Sequence, residues 1–562
     1  MEASGRTHAQ QSRSAIERIY IVMRHLLNRG KYKPLGVSGE ELRSALLTLS
    51  PEIYGSIGDE ERVELEGLLY VIERLPKGIE ECRFIKLVSD EGLRESQFEI
   101  IVPAKRRRNC YRIDQEQMFI EMTRGRSDIY DILTHLTFMF NEAEKIRIKV
   151  IDSKGNLSRD WLKLDEFIQL ESEKQDENEE KAYTYLSALL GRTFDEVKAA
   201  KVSFAANGRH YNLFHIVYWL GKLSIDELQA KRSREISFSS TLRERIGHHI
   251  YGERWAQHIK SFLYQNGLFN RPVHIISSNL HSVMNVLYAW PALKKNNYLD
   301  FISMMEELSV DKDPVRQEEI RQYANRNGMF TISDMTSTNI TVQVFDTARL
   351  QTAKLPSFLQ NAKPNTSKDS PVILVMDYAF GEQAYEVMDE LLKPFKYKES
   401  KFSMNVISIS IMGKAGILNG EKGDLMIPTA YVFEGTADNY PIENHISAGD
   451  FKNTNLDVYE GTMITVLGTS LQNKDVLEYF KNSSWHAIGL EMEGAHLQKA
   501  IQAAAKIRNS ISSKVEINCA YYASDNPLIS GSTLASGSLG LIGVKPTYLI
   551  TIRFLERILG GL

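Results

Sequence analysis

The stretch from Ile488 to Pro527 constrains this chain most. It reads IGLEMEG, then a helix-forming run, then VEINCAYYASDNP. Val515, Ile517, Cys519 and Tyr521 alternate on one side of a pleat, and Asn526-Pro527 is a turn pair that ends a strand. Between the two strands, Ala495, Leu497, Ala500, Ile501 and Ala504 form an apolar stripe at helical spacing, free of Pro and of interior Gly. A strand, a helix and a strand in that order belong to an α/β layer. The pattern sets Glu493 where the first strand gives way to the helix and Asp525 where the second strand stops. In open α/β sheets ligands bind just outside the carboxyl ends of strands, and both acids are expected there.

The rest of the chain falls around this stretch. At 562 residues it has room for two large units or three to four ordinary ones. Residues 1–170 read as a mainly helical region with a small β part: helices from Ser14 to about Arg74, strands at Phe84–Val88, Phe98–Val102 and Tyr111–Ile113, then helix again from Gln115 to Ile146. Residues 171–264 open on ESEKQDENEEK, an acidic linker or solvated helix start, followed by helical segments. From 265 to 562 strands alternate with helices: VHIISS, Met329–Leu350, PVILVM, MNVISISIMGKAG, GDLMIPTAYVF, YEGTMITVLG and a final helix from Pro546 to Leu559, with a polar loop over Asn361–Ser370. That grammar predicts an α/β domain with a mainly parallel sheet covered by helices on both faces, behind an α+β N-terminal region.

Composition removes several classes of function. A formal charge of −4 gives no global argument for nucleic acid or an anionic membrane. The run Lys105-Arg106-Arg107-Arg108 has no aromatic interleaving and reads as a solvated loop. Three cysteines, Cys82, Cys110 and Cys519, make neither a disulfide framework nor a CxxC site. His248, His249 and His258 fit no helical ligand spacing, so no metal site and no cofactor are expected. With neither a signal-like N-terminus nor an apolar run near 18 residues, the expectation is a soluble, cytoplasmic protein.

The chemistry lies in a series of short motifs. Gly413-Lys414-Ala415-Gly416 follows an apolar strand and reads as a glycine-bracketed turn whose amides, with Lys414, face an anion. It is followed by Gly423-Asp424 opening a strand that ends in Ala430-Tyr431, by Glu434, by Glu491-Met492-Glu493-Gly494, and by Ser524-Asp525 within SDNPL. In this series the region Arg271–Leu562 resembles the nucleoside phosphorylase and nucleosidase superfamily, most closely the catalytic domain of AMP nucleosidases. The resemblance implies a three-layer α/β/α phosphorylase-like domain that cleaves a purine nucleoside or nucleotide at its N-glycosidic bond, with hydrolysis leading and phosphate-dependent cleavage as the alternative. A nucleotide-sensing or scaffold protein without turnover is the reading from another class.

On that resemblance, Asp525 is the acid that protonates the leaving base at N7, Glu493 accepts from the ribose 2′- and 3′-hydroxyls, Met492 lies under the sugar, and Ser524 orients the acid. Glu491 is included with the substrate-binding set. Gly413, Lys414, Gly416 and Asn279 are the candidates for a phosphate. The chain departs from the pattern in several places. Ile411 stands where phosphorolytic relatives carry arginine, and Lys414 where they carry serine or threonine. The turn Ser277–Ser282 lacks both the phosphate-binding pattern and the water-activating glutamate, leaving His281 or Asn279 for that task. Leu471 falls where many relatives stack an aromatic on the base, with Tyr431 and Phe433 as replacements. The implied partners are a small purine nucleoside or nucleotide, phosphate as a second candidate, and a second copy of the chain in a homo-oligomer.

Overall fold

The computed structural model describes residues 7–170, 172–206, 211–293, 301–311, 313–350, 355, 359, 370–436, 438–529 and 539–560. The chain forms two compact units. One comprises Met1–Thr123, Asp128–His248 and Ser470–Val476, the other Arg124–Ser127, His249–Thr469 and Leu477–Leu562. The boundary therefore lies at His248/His249, and no break sets residues 171–264 apart. From Ser172 onward the acidic run is helix, part of Ser172–Leu190.

The first unit carries a sheet of β1 (Lys31–Tyr32), β2 (Phe84–Val88), β3 (Ile100–Ile101), β4 (Cys110–Arg112), β5 (Gln117–Glu121) and β6 (Glu235–Phe238), in the order β1-β6-β2-β5-β4-β3. Its helices are α1 (His8–Arg29), α2 (Val37–Leu49), α3 (Leu65–Ile72), α4 (Gly125–Val150), α5 (Arg159–Ile168), α6 (Ser172–Leu190), α7 (Phe194–Ala205), α8 (Leu213–Gln229) and α9 (Ser240–Gly247). Ile129, Ile132, Leu133, Leu136 and Phe138 of α4 are fully buried, as expected of a helix apolar on most of its circumference. The basic run is solvated at Lys105 and Arg107 but not at Arg106 and Arg108. Arg106 makes a bidentate pair with Asp131 at 2.8 Å, and Arg108, 3 % exposed, bonds Asp128 at 3.0 Å. The two α4 carboxylates, spaced three residues apart on one helix face, draw these arginines inward.

The second unit is built on a mixed sheet. Its strands are β7 (Val273–Ser277), β8 (Met329–Ile332), β9 (Val342–Asp346), β10 (Val372–Met376), β13 (Val406–Ile417), β14 (Leu425–Phe433), β15 (Asn439–Pro441), β16 (Val458–Thr465), β17 (Ala487–Glu491) and β18 (Glu516–Asp525); β11 (Phe395–Tyr397) and β12 (Ser400–Phe402) form a separate hairpin. Its helices are α10 (Ile250–Gln265), α11 (Leu280–Ala292), α12 (Phe301–Asp311), α13 (Pro314–Arg326), α14 (Gln383–Leu392), α15 (Lys474–Asn482), α16 (Gly494–Gln502) and α17 (Val544–Gly560).

Strand β7 runs parallel to β10 and β13, whereas β9 and β8 add antiparallel, so the sheet is mixed rather than mainly parallel. Alternate residues serve separate cores: Val273 and Ile275 face α10, α14 and α16, while Ile276 faces α11, α12, α13 and α17. Strand β18 follows the same rule, with Ile517, Cys519 and Tyr521 on one core and Ala520 and Tyr522 on the other. Its alternation therefore separates two buried faces, not an inside from an outside. At the far side β13, β17, β16, β14 and β18 pair successively and return to β13, closing a five-strand circuit. The polar loop at 361–370 lies outside the described residues except for Ser370.

Among the described residues no helix is long and apolar enough to cross a membrane.

Candidate functional site

Strand β13 is where the site begins, because its two edges differ. One edge pairs with β18 from Ser408 to Gly416. The other pairs with β7 only as far as Ile411 opposite Ser277, and next with β17 at Gly416 opposite Leu490. Between Ile411 and Gly416 that edge has no ladder partner among the described strands. A crevice thus opens between the carboxyl ends of β7 and β17, the position at which α/β sheets bind ligands. Gly413-Lys414-Ala415-Gly416 lies on this edge as strand and not as a turn. Its glycines serve packing as well, since a Cβ on Gly413 would lie 3.1 Å from the Tyr521 ring.

The register of β18 slips at the crevice. Ala415 pairs with Ala523, but Gly416 pairs with Asp525, so Ser524 and Asp525 together oppose one residue. A bulge of this kind re-aims the side chain that follows it. Asp525 is 0 % exposed; its Oδ1 accepts from the Ser524 hydroxyl at 2.5 Å, while Oδ2 is buried with no hydrogen-bond partner. Burial raises its pKa, and the Ser524 bond and the charges of Lys414 and Lys422 only partly offset that. Lys414 itself is exposed. The loop before β14 supports the bulge: Ala523 donates to Asp424 O at 2.8 Å and accepts from Gly423 N at 3.0 Å, and the Asn526 amide donates to Gly420 O at 3.0 Å. The Gly423-Asp424 pair is thus a clamp on the acid's strand.

On the other side of β13, the EMEG run ends β17 and starts α16. Glu491 is buried, and its carboxylate accepts from Thr465 Oγ1 at 2.5 Å, from Glu493 N at 2.5 Å and from Gly494 N. It caps the helix and has no oxygen turned to a ligand, which corrects its inclusion among substrate contacts. Glu493 is the free acid of the pair: Oε1 accepts from Gly381 N at 2.9 Å. Burial, with Glu491 beside it, pushes Glu493 up to about 8, and burial pushes Glu491 up to about 7. Met492 is 8 % exposed, and its Cε lies 3.7 Å from where a Gly381 Cβ would be.

Gly381 and its support escape a sequence reading. Its φ of +54° and the Ser127 Oγ, 2.5 Å from a would-be Cβ, both require glycine. Ser127 Oγ also accepts from Glu382 N at 2.8 Å, Arg126 pairs with Glu382 at 3.0 Å, and Arg124 lies over the Phe380 ring at 4.8 Å. A segment some 250 residues upstream in sequence, Arg124–Ser127, thus fixes the loop that holds Glu493.

The turn after β7 contributes less directly. Asn279 is the N-cap of α11, accepting from Ser282 N at 2.9 Å, and its side chain bonds the Tyr378 hydroxyl, which leaves little of it for phosphate. His281 lies in the first turn of α11 and lines a cavity of about 680 Å³ with Met284, Asn285, Met305, Leu308 and Tyr548. Its residue surface is exposed, and partial desolvation of the ring lowers its pKa, favouring the neutral imidazole. The cavity's rim at Gly540-Leu541 continues into Ile542, whose Cγ2 would lie 3.0 Å from a Cβ on Gly423.

The aromatic candidates divide. Tyr431 is 0 % exposed, its hydroxyl 3.0 Å from that of Tyr521, and a Cβ on Gly494 would lie 2.1 Å from its ring; it is a core residue with no face open to a base. Phe433 is partly buried and meets His496 edge-on at 4.8 Å. Leu471, 2 % exposed, belongs to the first unit with Ser470–Val476, apart from the unit that holds both acids. Within this site no three metal-ligating side chains converge among the described residues.

Among solved structures, about half of the chain has likenesses of low identity. A 5′-methylthioadenosine/S-adenosylhomocysteine nucleosidase from Campylobacter jejuni is 12 % identical, with 52 % of this chain and 100 % of that one covered, at a TM-score of 0.29. A futalosine hydrolase from Helicobacter pylori and a 5′-methylthioadenosine nucleosidase from Arabidopsis thaliana are each 12 % identical, with 52 % and 98 % covered and a TM-score of 0.29. Scores this low leave fold and chemistry resting on the residues themselves. No curated protein matches the chain. A family model matches residues 41–320 and 307–560, and the chain accordingly belongs to the family of unknown function DUF6909.

Proposed function

We propose that the second unit, a three-layer phosphorylase-like domain, is a purine N-glycosidase that releases the base from a nucleoside or nucleotide, with hydrolysis of a nucleotide such as AMP as the leading reaction. The observation that carries this is Asp525: a wholly buried carboxyl at a strand bulge, with one oxygen held by Ser524 and the other unpaired. A carboxyl so placed favours its protonated form and has a proton to give. Donated to N7 of a purine, that proton lets the base leave neutral while positive charge develops on the sugar.

Glu493, on the opposite side of β13, accepts from the ribose 2′- and 3′-hydroxyls; Met492 lies under the sugar. Glu493 binds best as the anion, so sugar binding draws its pKa down from about 8 and expels a proton near neutrality. His281, kept neutral, is the base that takes a proton from the attacking water. Lys414, exposed beside Asp525, meets a 5′-phosphate. Hydrolysis is preferred to phosphorolysis because Asn279 is engaged by Ser282 and Tyr378 and Ile411 supplies no charge. Homo-oligomerisation is part of the same reading.

The test is chromatography of the purified chain incubated with AMP, ATP, adenosine, inosine and guanosine, each with and without phosphate. Free base from one of them without phosphate, lost in Asp525→Asn, supports hydrolysis. Strict phosphate dependence selects phosphorolysis. Tight calorimetric binding of AMP with no base released from any substrate replaces the enzyme by a sensor.

A further inference from the structure

We infer that Glu80, Glu81 and His215 form a binding site for one divalent transition-metal ion of the zinc class, in the first unit and independent of the Asp525 chemistry. Ligand atoms of the three side chains lie within 4.8 Å of one another, although 134 residues separate Glu81 from His215. Sequence spacing could not reveal such a group, and the proposal departs from the expectation of a chain without a metal site.

The fold brings the donors together from two rigid elements. Glu80 and Glu81 end a 3-10 turn, Ile79–Glu81, that starts after Gly78, a glycine at φ +85° whose would-be Cβ lies 2.9 Å from Arg112 Nη1. His215 is in the first turn of α8, where Asn212 caps its backbone N–H at 3.3 Å. Its Nε2 lies 2.8 Å from Glu81 Oε1, and its ring lies 6.2 Å from that of Trp219, one helical turn on. The other Glu81 oxygen is taken by Arg112 at 2.8 Å, which turns Oε1 towards the imidazole.

Glu80 is what distinguishes the cluster from a surface ion pair. It is 8 % exposed, and its carboxylate accepts from its own backbone N–H while facing His215, Glu81 and Arg112. Two carboxylates face one guanidinium here, so the group holds excess negative charge, with Glu81 and His215 partly open to solvent. A divalent ion neutralises that charge. One imidazole and two carboxylates are a donor set for zinc, cobalt or manganese, and three protein ligands leave a position for water. The bound ion ties the Ile79–Glu81 turn to α8 and raises the melting temperature by mass action.

The experiment uses the full chain, stripped by a chelator and desalted, titrated with Zn²⁺ by calorimetry and with Co²⁺ by visible absorption. Expected is one equivalent with ligand-field bands for Co²⁺, and an affinity reduced more than about tenfold in Glu80→Gln and in His215→Ala. His258→Ala, a histidine outside the cluster, is expected to bind as the unaltered chain does. Circular dichroism confirms that each variant is folded; should His215→Ala not fold, Glu80→Gln, which keeps the side-chain shape, decides. No stoichiometric uptake by the unaltered chain, or uptake unchanged in Glu80→Gln, overturns the site.

Discussion

Asp525 and Glu493 are both lifted above the ordinary carboxyl range by burial, yet the groups around them prepare them for different protonation states. Asp525 has an oxygen with no donor, so the proton it carries remains the way to satisfy that atom; Glu493 has the Gly381 amide, which already favours an anion. If Asp525 is the general acid, base release falls as pH rises through its raised pKa. Asp525→Asn is expected to reduce release about 10²- to 10⁴-fold without unfolding the chain, as rate profiles and melting curves would show.

Glu493 gives a second residue-scale prediction, on stability. Its folded pKa of about 8 lies above the ordinary 4.5, so the folded state binds the proton more tightly across that interval. Stability is therefore full below about 4.5 and declines as pH rises towards 8, where the folded state must hold a buried anion. Glu493→Gln removes that decline. Denaturant midpoints at pH 5 and pH 8 are expected to differ less in the variant, with the gain appearing at pH 8. The positions of both acids were legible because each ends a strand. Glu491 was misread because sequence marks an acid beside a helix start, but not which of two acids spends its oxygens on the helix.

At the scale of elements, close packing of α16 on β14 explains why Tyr431 failed as a base-stacking candidate. The sequence placed it correctly in a strand, but a pattern of residues does not register that Gly494 makes room for the ring. Gly494→Ala would set a methyl 2.1 Å from Tyr431 Cε1, and neither the fully buried ring nor the helix start held by Glu491 has space to move. The expected loss is about 1–3 kcal/mol in equilibrium unfolding, characteristic of overpacking. The Gly413–Gly416 run teaches the same lesson from the other side. Two glycines after an apolar strand read as a turn, whereas the strand continues through them, because β18 pairs with it to Gly416 and Tyr521 packs over Gly413. The crevice arises from β7 and β17 leaving and joining the other edge, and pairing partners far apart in sequence leave no local trace.

For the whole molecule, the informative error concerns where the second unit starts. The change of pattern that opens residues 265–562 set the boundary at 265, the last residue of α10, so the cut removes that helix almost entirely. Yet Trp255, Ala256, Ile259 and Leu263 of α10 are buried in the same core as Val273 and Ile275 of β7 and the apolar face of α14, and the Trp255 indole donates to Ile340 O at 2.9 Å. A helix that precedes an α/β pattern looks like the tail of a helical region; only its buried face says which core it completes. The exchange of Arg124–Ser127 and Ser470–Val476 between the two units was still less legible, since nothing in their composition differs from their surroundings. A chain beginning at His249 retains the α10 face and is expected to melt cooperatively. One beginning at 265 leaves the β7, β9 and α14 side chains beneath it open to water, an apolar surface that drives association. Calorimetry and light scattering of the two chains decide the matter: equal cooperativity and solubility would mean that α10 is dispensable to the core, and would return the boundary to 265.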